Sequence, residues 1–211
     1  IALSIWGNYI IFWNFSIIYF KNEKCVTIEH MSTLLNKKGP LKILFVASEA
    51  APYVKVGGLG EVVRSLPRAL RDLGHDARVF FPKYASIDTS NLNLQTELLN
   101  LPLSTPEKDP HGLLVANVLK TEEDGKVVAY LLENAEYYEK RANVYSYGDD
   151  TDRWLLLCKG TLEFLKKSEW KPDVIVANDW QAGFIPSLLK TEYQHDPILS
   201  KIATHFFIHN L

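Results

Sequence analysis

Three short segments carry residue types that could do chemistry on a small charged or hydroxylated molecule. The first is Lys55-Val-Gly-Gly-Leu-Gly-Glu61. Gly57 and Gly58 have no Cβ, so a ligand phosphate could approach their backbone N–H groups closely. A helix starting behind them would turn its positive dipole end the same way, and Lys55 adds a full charge. The segment is neither a Walker loop nor a G-x-G-x-x-G fingerprint. Equally, such a turn lets a strand and a helix pack, and the spacing alone leaves both readings open. The second segment is Asn178-Asp179-Trp180, where Asp179 offers a carboxylate to a ligand or a cap to the helix behind it. The third is His209-Asn210. A lone histidine is more often a hydrogen-bonded structural group than a catalyst.

What would unite these segments is the set of strands that precede them. Residues 42–48, Lys-Ile-Leu-Phe-Val-Ala-Ser, form a short apolar run suited to a buried parallel strand. A loop over 49–60 follows. Residues 61–73 then read as a helix, with Val62, Leu66, Leu70 and Leu73 on one face and Gly74 as its terminal cap. Pro67 inside that pattern predicts a kink or a late start. A second strand at 77–81 completes a βαβ unit. Apolar runs at 113–119 and 127–132 flank Glu122-Glu-Asp-Gly125 and read as a hairpin. A helix is predicted over 149–167, capped by Asp149, Asp150 or Thr151, with Trp154, Leu157, Cys158, Leu162 and Leu165 as its buried stripe. A strand at 172–177, a helix at 181–190 and a strand at 202–208 close the chain. The expected class is α/β, a Rossmann-like, mainly parallel sheet with helices on both faces. In such a sheet all three polar segments follow the carboxyl ends of strands and would meet in one crevice.

Composition excludes some partners. The 211 residues carry 23 Lys and Arg against 25 Asp and Glu, a net charge of −2, which leaves no electrostatic footprint for nucleic acid or an anionic membrane. Cys25 and Cys158 have neither metal-ligand spacing nor a disulfide framework, pointing to a reducing compartment. Residues 1–20 contain no charge and are long enough for a membrane-spanning helix, followed by Lys21 and Lys24. The only methionine, however, is Met31. We therefore read residues 1–40 as an extension, with translation starting at Met31 and residues 1–30 as upstream sequence, and a membrane anchor or signal segment as the alternative.

The stretch from Lys55 to Leu70 closely resembles the K-x-G-G-L-A/G-D/E-V-x-x-x-L-P motif of bacterial glycogen synthases and plant starch synthases, glycosyltransferase family 5. Ser48-Glu49-Ala-Ala-Pro52 resembles the same family's S-E-x-x-P. Tyr147-Gly-Asp-Asp-Thr-Asp-Arg-Trp154, Pro172 to Trp180 and Phe207 to Leu211 are similar to its Y-x-D-N-x-x-R-F, P-D-I/V-I/V-H-A/C-H/N-D-W and T-I-H-N-L segments. The match covers about residues 41–211 in order and spacing. There are departures: Ala177 and Asn178 differ from the commoner histidine-containing version, Gln181 replaces a frequent histidine, Phe206-Phe207 replaces Phe-Thr, and Glu61 stands where aspartate is common.

The resemblance implies the amino-terminal half of a GT-B glycosyltransferase, with the carboxyl-terminal domain missing and the truncated chain inactive alone. It implies retaining transfer of glucose from ADP-glucose to the non-reducing end of an α-1,4-glucan, with no metal and no cofactor beyond the nucleotide-sugar donor. Lys55, Gly57 and Gly58 would contact the donor pyrophosphate. His209 would lie near the transferred glucose, and Asp179 would bind sugar or acceptor, these two and Lys55 being the catalytic candidates. Glu49, Tyr147, Trp180 and Asn210 would complete the substrate contacts, with the two aromatic rings suited to sugar faces. Expected partners are the donor, the glucan and the carboxyl-terminal domain. The expected location is cytoplasmic, or a plastid in a plant or alga. The alternative is a carbohydrate- or nucleotide-binding module that kept the fold without the reaction.

Overall fold

The computed structural model describes residues 39–104, 113–123 and 127–209, together with two short strands near the amino end. These strands, Ala2–Trp6 (β1) and Tyr9–Trp13 (β2), pair antiparallel in a two-stranded sheet of their own. The apolar stretch read as a candidate spanning helix is thus extended at these positions, whereas Met31 lies outside the described residues. Among the described residues no helix is long and apolar enough to cross a membrane.

The main sheet is built around β3 (Lys42–Val46), whose Ile43, Leu44, Phe45 and Val46 are all buried. A strand apolar on both faces must be covered on both, which is why this run reads as a continuous hydrophobic stretch. β3 pairs in parallel with β4 (Asp76–Pro82) on one side and β8 (Val174–Asn178) on the other. Beyond β8 lies β9 (Ala203–Phe207), also parallel. Beyond β4 lies β7 (Val127–Glu133), parallel to it, followed by antiparallel β6 (Leu113–Glu123) and β5 (Gln95–Ser104). The order is β5-β6-β7-β4-β3-β8-β9. The predicted hairpin is therefore β6–β7, while β5 was not expected from the sequence. Two register shifts and a positive φ at Asn100 interrupt its alternation, and Pro102 is tolerated because β5 is an edge strand.

The first helix, α1 (Gly58–Asp72), starts three residues before the expected position and runs unbroken through Pro67, which is buried. Its buried face is set by Leu59, Val63 and Pro67, with Leu66 and Leu70 half-buried beside them. Leu73, expected on that face, is 75% exposed because it is the cap residue, where the chain has left the helix. Gly74 then takes a left-handed φ of +91°, its N–H donating to the Arg71 carbonyl at 2.9 Å and that of His75 to Leu70 at 3.0 Å. This pair of bonds is the Schellman termination, which needs a residue without a Cβ penalty at Gly74.

The long helix α2 (Asp150–Lys167) buries Trp154, Leu157, Cys158, Leu162 and Leu165 completely. Asp149 occupies its N-cap without making a side-chain cap bond; its carboxylate pairs with Arg141 at 2.6 Å instead. The helix expected over 181–190 is two segments, α3 (Asp179–Ala182) and α4 (Phe184–Lys190). Pro186 has no N–H to give the Ala182 carbonyl, so the ladder breaks there. From β3 the chain moves first toward β4 and later returns to the other side of β3 for β8 and β9. The strand order reverses between β3 and β8, the kind of switch point at which open α/β sheets bind ligands, and the three polar segments follow the carboxyl ends of β3, β8 and β9.

Candidate active site

Asn178 closes β8 and is wholly buried (0% exposed). Its side-chain nitrogen donates to the Val46 carbonyl at the end of β3 (3.0 Å) and to the Val176 carbonyl (3.1 Å), tying the two strands together across the switch point. Its Oδ1 faces His209 Nε2 at 3.0 Å. Next in the chain, Asp179 is 5% exposed and has a φ of +55°, a left-handed conformation that a non-glycine residue holds only when its surroundings impose it. Its Oδ1 accepts the His209 backbone N–H at 2.6 Å. The carboxylate therefore reaches across to the segment that follows β9. Two of the three predicted segments thus meet directly, with His209 held at ring and backbone. The His209 ring packs against Phe207 with centroids 4.2 Å apart. Burial moves its pKa below the ordinary histidine value, against the pull of the Asp179 charge, which favours the neutral ring. Asn210 lies outside the described residues.

The glycine-bearing loop is organised from within. Glu49, just past β3 and 2% exposed, points its carboxylate into the loop. Oε1 accepts the N–H groups of Gly57 and Gly60, each at 3.2 Å; Oε2 accepts those of Gly57 at 3.1 Å and Val56. Sequence reasoning gave the Gly57 amide to a ligand phosphate, but the protein's own carboxylate takes it. Gly58 differs: it opens α1, whose first N–H groups lack intrahelical acceptors, and a Cβ placed there would meet nothing within 4 Å. Lys55 Nζ is 2.8 Å from Glu61 Oε1, both side chains being about half exposed. The hydrogen bond to Lys55 and its charge lower the Glu61 pKa. The loop thus presents Lys55, Gly58 and a helix start to solvent, braced by Glu49.

Tyr84 and Tyr145, which the sequence did not single out, both bond to Ser48 just past β3. The Ser48 and Tyr145 hydroxyls are 2.8 Å apart, and Tyr84 donates to the Ser48 carbonyl at 2.7 Å. Burial pushes the Tyr145 phenol up to about 12; its bond to Ser48 lowers it, and the Glu49 and Asp179 charges raise it further. Tyr145 is therefore a protonated group within reach of both carboxylate charges. Its ring stands 6.0 Å from that of Trp154, which meets Trp180 edge-on at 6.2 Å. Trp180 is 53% exposed, leaving an aromatic surface beside Asp179. Tyr147 is placed differently from a sugar-stacking ring. Arg141 and Arg153 lie over it at 5.1 and 4.8 Å, and its hydroxyl accepts the Asn143 N–H at 2.9 Å. A polar residue ending an otherwise apolar strand was the one available signal for Asn178. The motif pointed to Tyr147, and nothing in the sequence pointed to Tyr145. Among the described residues no three His, Cys, Asp or Glu side chains are grouped to hold a metal ion.

The chain is similar to known proteins in both sequence and fold. Residues 42–211 match the family model described as the starch synthase catalytic domain. The chain is 40% identical over 181 residues to a glycogen synthase of Desulforudis audaxviator, covering 82% of this chain and 35% of that protein. It is 37% identical over 176 residues to a glycogen synthase of Geotalea uraniireducens, covering 81% of this chain and 35% of that one. The solved catalytic domain of starch synthase IV from Arabidopsis thaliana, bound to ADP and acarbose, superposes with a TM-score of 0.73 at 27% identity. That match covers 82% of this chain and 34% of the plant chain. The chain thus spans about a third of the length of the relatives it matches. On the family model and these identities together, it belongs to the glycogen and starch synthase family of glycosyltransferases.

Proposed function

We propose that this chain forms one wall of the active site of an α-1,4-glucan synthase, which transfers glucose from ADP-glucose to the 4-hydroxyl at a glucan's non-reducing end with retention. The observation that carries this reading is the direct meeting of Asp179 and His209 at the switch point, with the Lys55 loop following the neighbouring strand β3. The plant relative was solved with ADP and acarbose, a nucleoside diphosphate and a pseudo-oligosaccharide, which fits a site with a phosphate end and a sugar end.

In this reading Lys55, the Gly58 amide and the start of α1 stabilise negative charge growing on the departing diphosphate. Preorganised charges of that kind act without reorganising as the bond breaks. Gly57 contributes indirectly, by holding Glu49 and so the loop. Asp179 and His209 serve the sugar, and Trp180 offers its exposed face to the acceptor. Tyr147 supports the site by fixing the 141–153 segment. The other wall comes from the remaining two-thirds of the relatives' length, and turnover belongs to the two together. The reading includes no metal, no cofactor beyond the donor, and a cytoplasmic or plastid location.

The test is made on the complete gene product, with ADP-glucose and maltooligosaccharides, by calorimetry alongside a glucosyl-transfer assay. Lys55→Ala is expected to lower turnover about 10²–10³-fold while leaving the unfolding midpoint nearly unchanged, since the Lys55–Glu61 pair is exposed. Unchanged turnover would remove Lys55 from the mechanism. Binding of both ligands without transfer would favour a carbohydrate-binding module.

A further inference from the structure

Asn178 carries more than the link between β3 and β8. The two ends of an asparagine amide are distinguished only by their partners, and here the partners decide. One end faces two backbone carbonyls, those of Val46 and Val176, at 3.0 and 3.1 Å. Carbonyl oxygens only accept, so that end must be the NH₂ group. The reversed amide would set its oxygen against both. The other end, Oδ1, has no hydrogen and lies 3.0 Å from His209 Nε2. A hydrogen bond there requires the proton to be on Nε2. A neutral imidazole has one ring proton, so Nδ1 is then a bare acceptor.

We propose that Asn178 is a positioning residue that locks His209 in its Nε2–H tautomer, presenting Nδ1 as an acceptor. Division of labour is visible in the bonds: Asp179 fixes the backbone of His209, and Asn178 fixes its ring. The groups against the ring are Asn178 Oδ1, the Phe207 ring and, as the nearby charge, Asp179. Burial, by favouring the neutral ring, preserves the distinction between the two nitrogens. The lock has a consequence that rests on the glucosyl-transfer reading. An acceptor nitrogen takes a hydrogen bond from a hydroxyl and repels a phosphate oxygen. The His209 ring would then serve the hydroxyl-bearing end of the donor and leave the diphosphate to Lys55.

The tautomer can be read without any ligand. The chain is labelled with ¹⁵N-histidine and its long-range ¹H–¹⁵N correlations are recorded at about pH 8, above the ordinary histidine pKa. His209 is identified by the signals missing in His209→Gln. The expected pattern is an unprotonated Nδ1 and a protonated Nε2; the reverse, or averaged shifts for the two nitrogens, overturns the proposal. Asn178→Asp should keep the proton on Nε2 and raise the His209 pKa by about one unit or more, through the new negative charge. Asn178→Ala should let the two tautomers average. A merely structural asparagine would change stability in these variants but leave the His209 nitrogen shifts as they are, and that result also overturns the proposal. If neither variant folds, the wild-type spectrum decides alone. The correct tautomer in a complete protein that fails to transfer glucose would sink the transferase reading and leave the lock standing.

Discussion

Replacing Glu49 by glutamine tests whether the loop is held by an internal carboxylate. The side chain keeps its shape, so the change is confined to one oxygen becoming NH₂ and one charge being lost. In the native structure Oε1 serves Gly57 and Gly60 while Oε2 serves Val56 and Gly57. Whichever way the new amide sits, its NH₂ faces the N–H of either Val56 or Gly60, donor against donor. Hydrogen bonds to a charged acceptor contribute about 1.5–3 kcal/mol each. Water reaches the exposed loop and recovers part of that, so we expect a net loss of about 2–3 kcal/mol. For a chain of this size that is a fall in Tm of about 4–12 °C. Thermal unfolding by circular dichroism reads it, with urea unfolding as a check that the midpoint moves and the slope does not. Amide exchange should also quicken at Val56, Gly57 and Gly60 while the β3 core stays protected. A Glu49→Gln protein within about 0.5 kcal/mol of wild type, the scatter of ordinary surface changes, would refute the argument. The loop would then owe its shape to something other than that carboxylate.

Two further perturbations probe the frame that carries the site. Gly74→Ala should cost about 1–2 kcal/mol in urea unfolding, since the left-handed φ penalises any Cβ; the added methyl would touch nothing within 4 Å, so no packing gain offsets it. Asp76 accepts from Trp170 Nε1 at 2.7 Å, Arg71 at 3.0 Å and Arg78 at 3.1 and 3.2 Å. Burial alone would raise its pKa, but the Arg78 and Trp170 hydrogen bonds and the Arg78 and Arg71 charges outweigh burial and lower it. The unfolded carboxyl, with a pKa of about 3.9, therefore takes up protons first. The stability that Asp76 contributes is present above that value and lost as pH falls through the lower folded pKa. Asp76→Asn should cost about 1–2 kcal/mol near neutrality and flatten the acid limb of a midpoint-against-pH curve. An equally steep acid limb in the variant would count against this assignment.

Residue identity and spacing were enough for much of this molecule. The apolar runs at β3, β4 and β8 are short and largely buried, so their composition alone marks them, whereas β9 is a half-buried edge strand. The stripe of α2 and the Gly74 stop of α1 follow from helix period and from backbone conformation, both of which are local. Convergence of the Asp179 and His209 segments was legible for the same reason, because parallel strands end at one edge whatever their order. β5 was missed because bulges erase the period-2 signal by which a strand is recognised, and Leu73 was misplaced because a helix end is fixed by its capping bonds and not by hydrophobic period.

What only the folded chain decided is which polar group meets which. Eight residues of sequence separate Glu49 from Gly57, and nothing in their types says that the carboxylate, rather than a ligand, fills the amides. Thirty-one residues separate Asn178 from His209, and the tautomer of the histidine depends on where an amide nitrogen finds its carbonyls on two different strands. Hydrophobic pattern is a property of each segment and survives in the sequence. Hydrogen-bond pairing across a sheet is a property of register and strand order, and it exists only once the strands lie side by side.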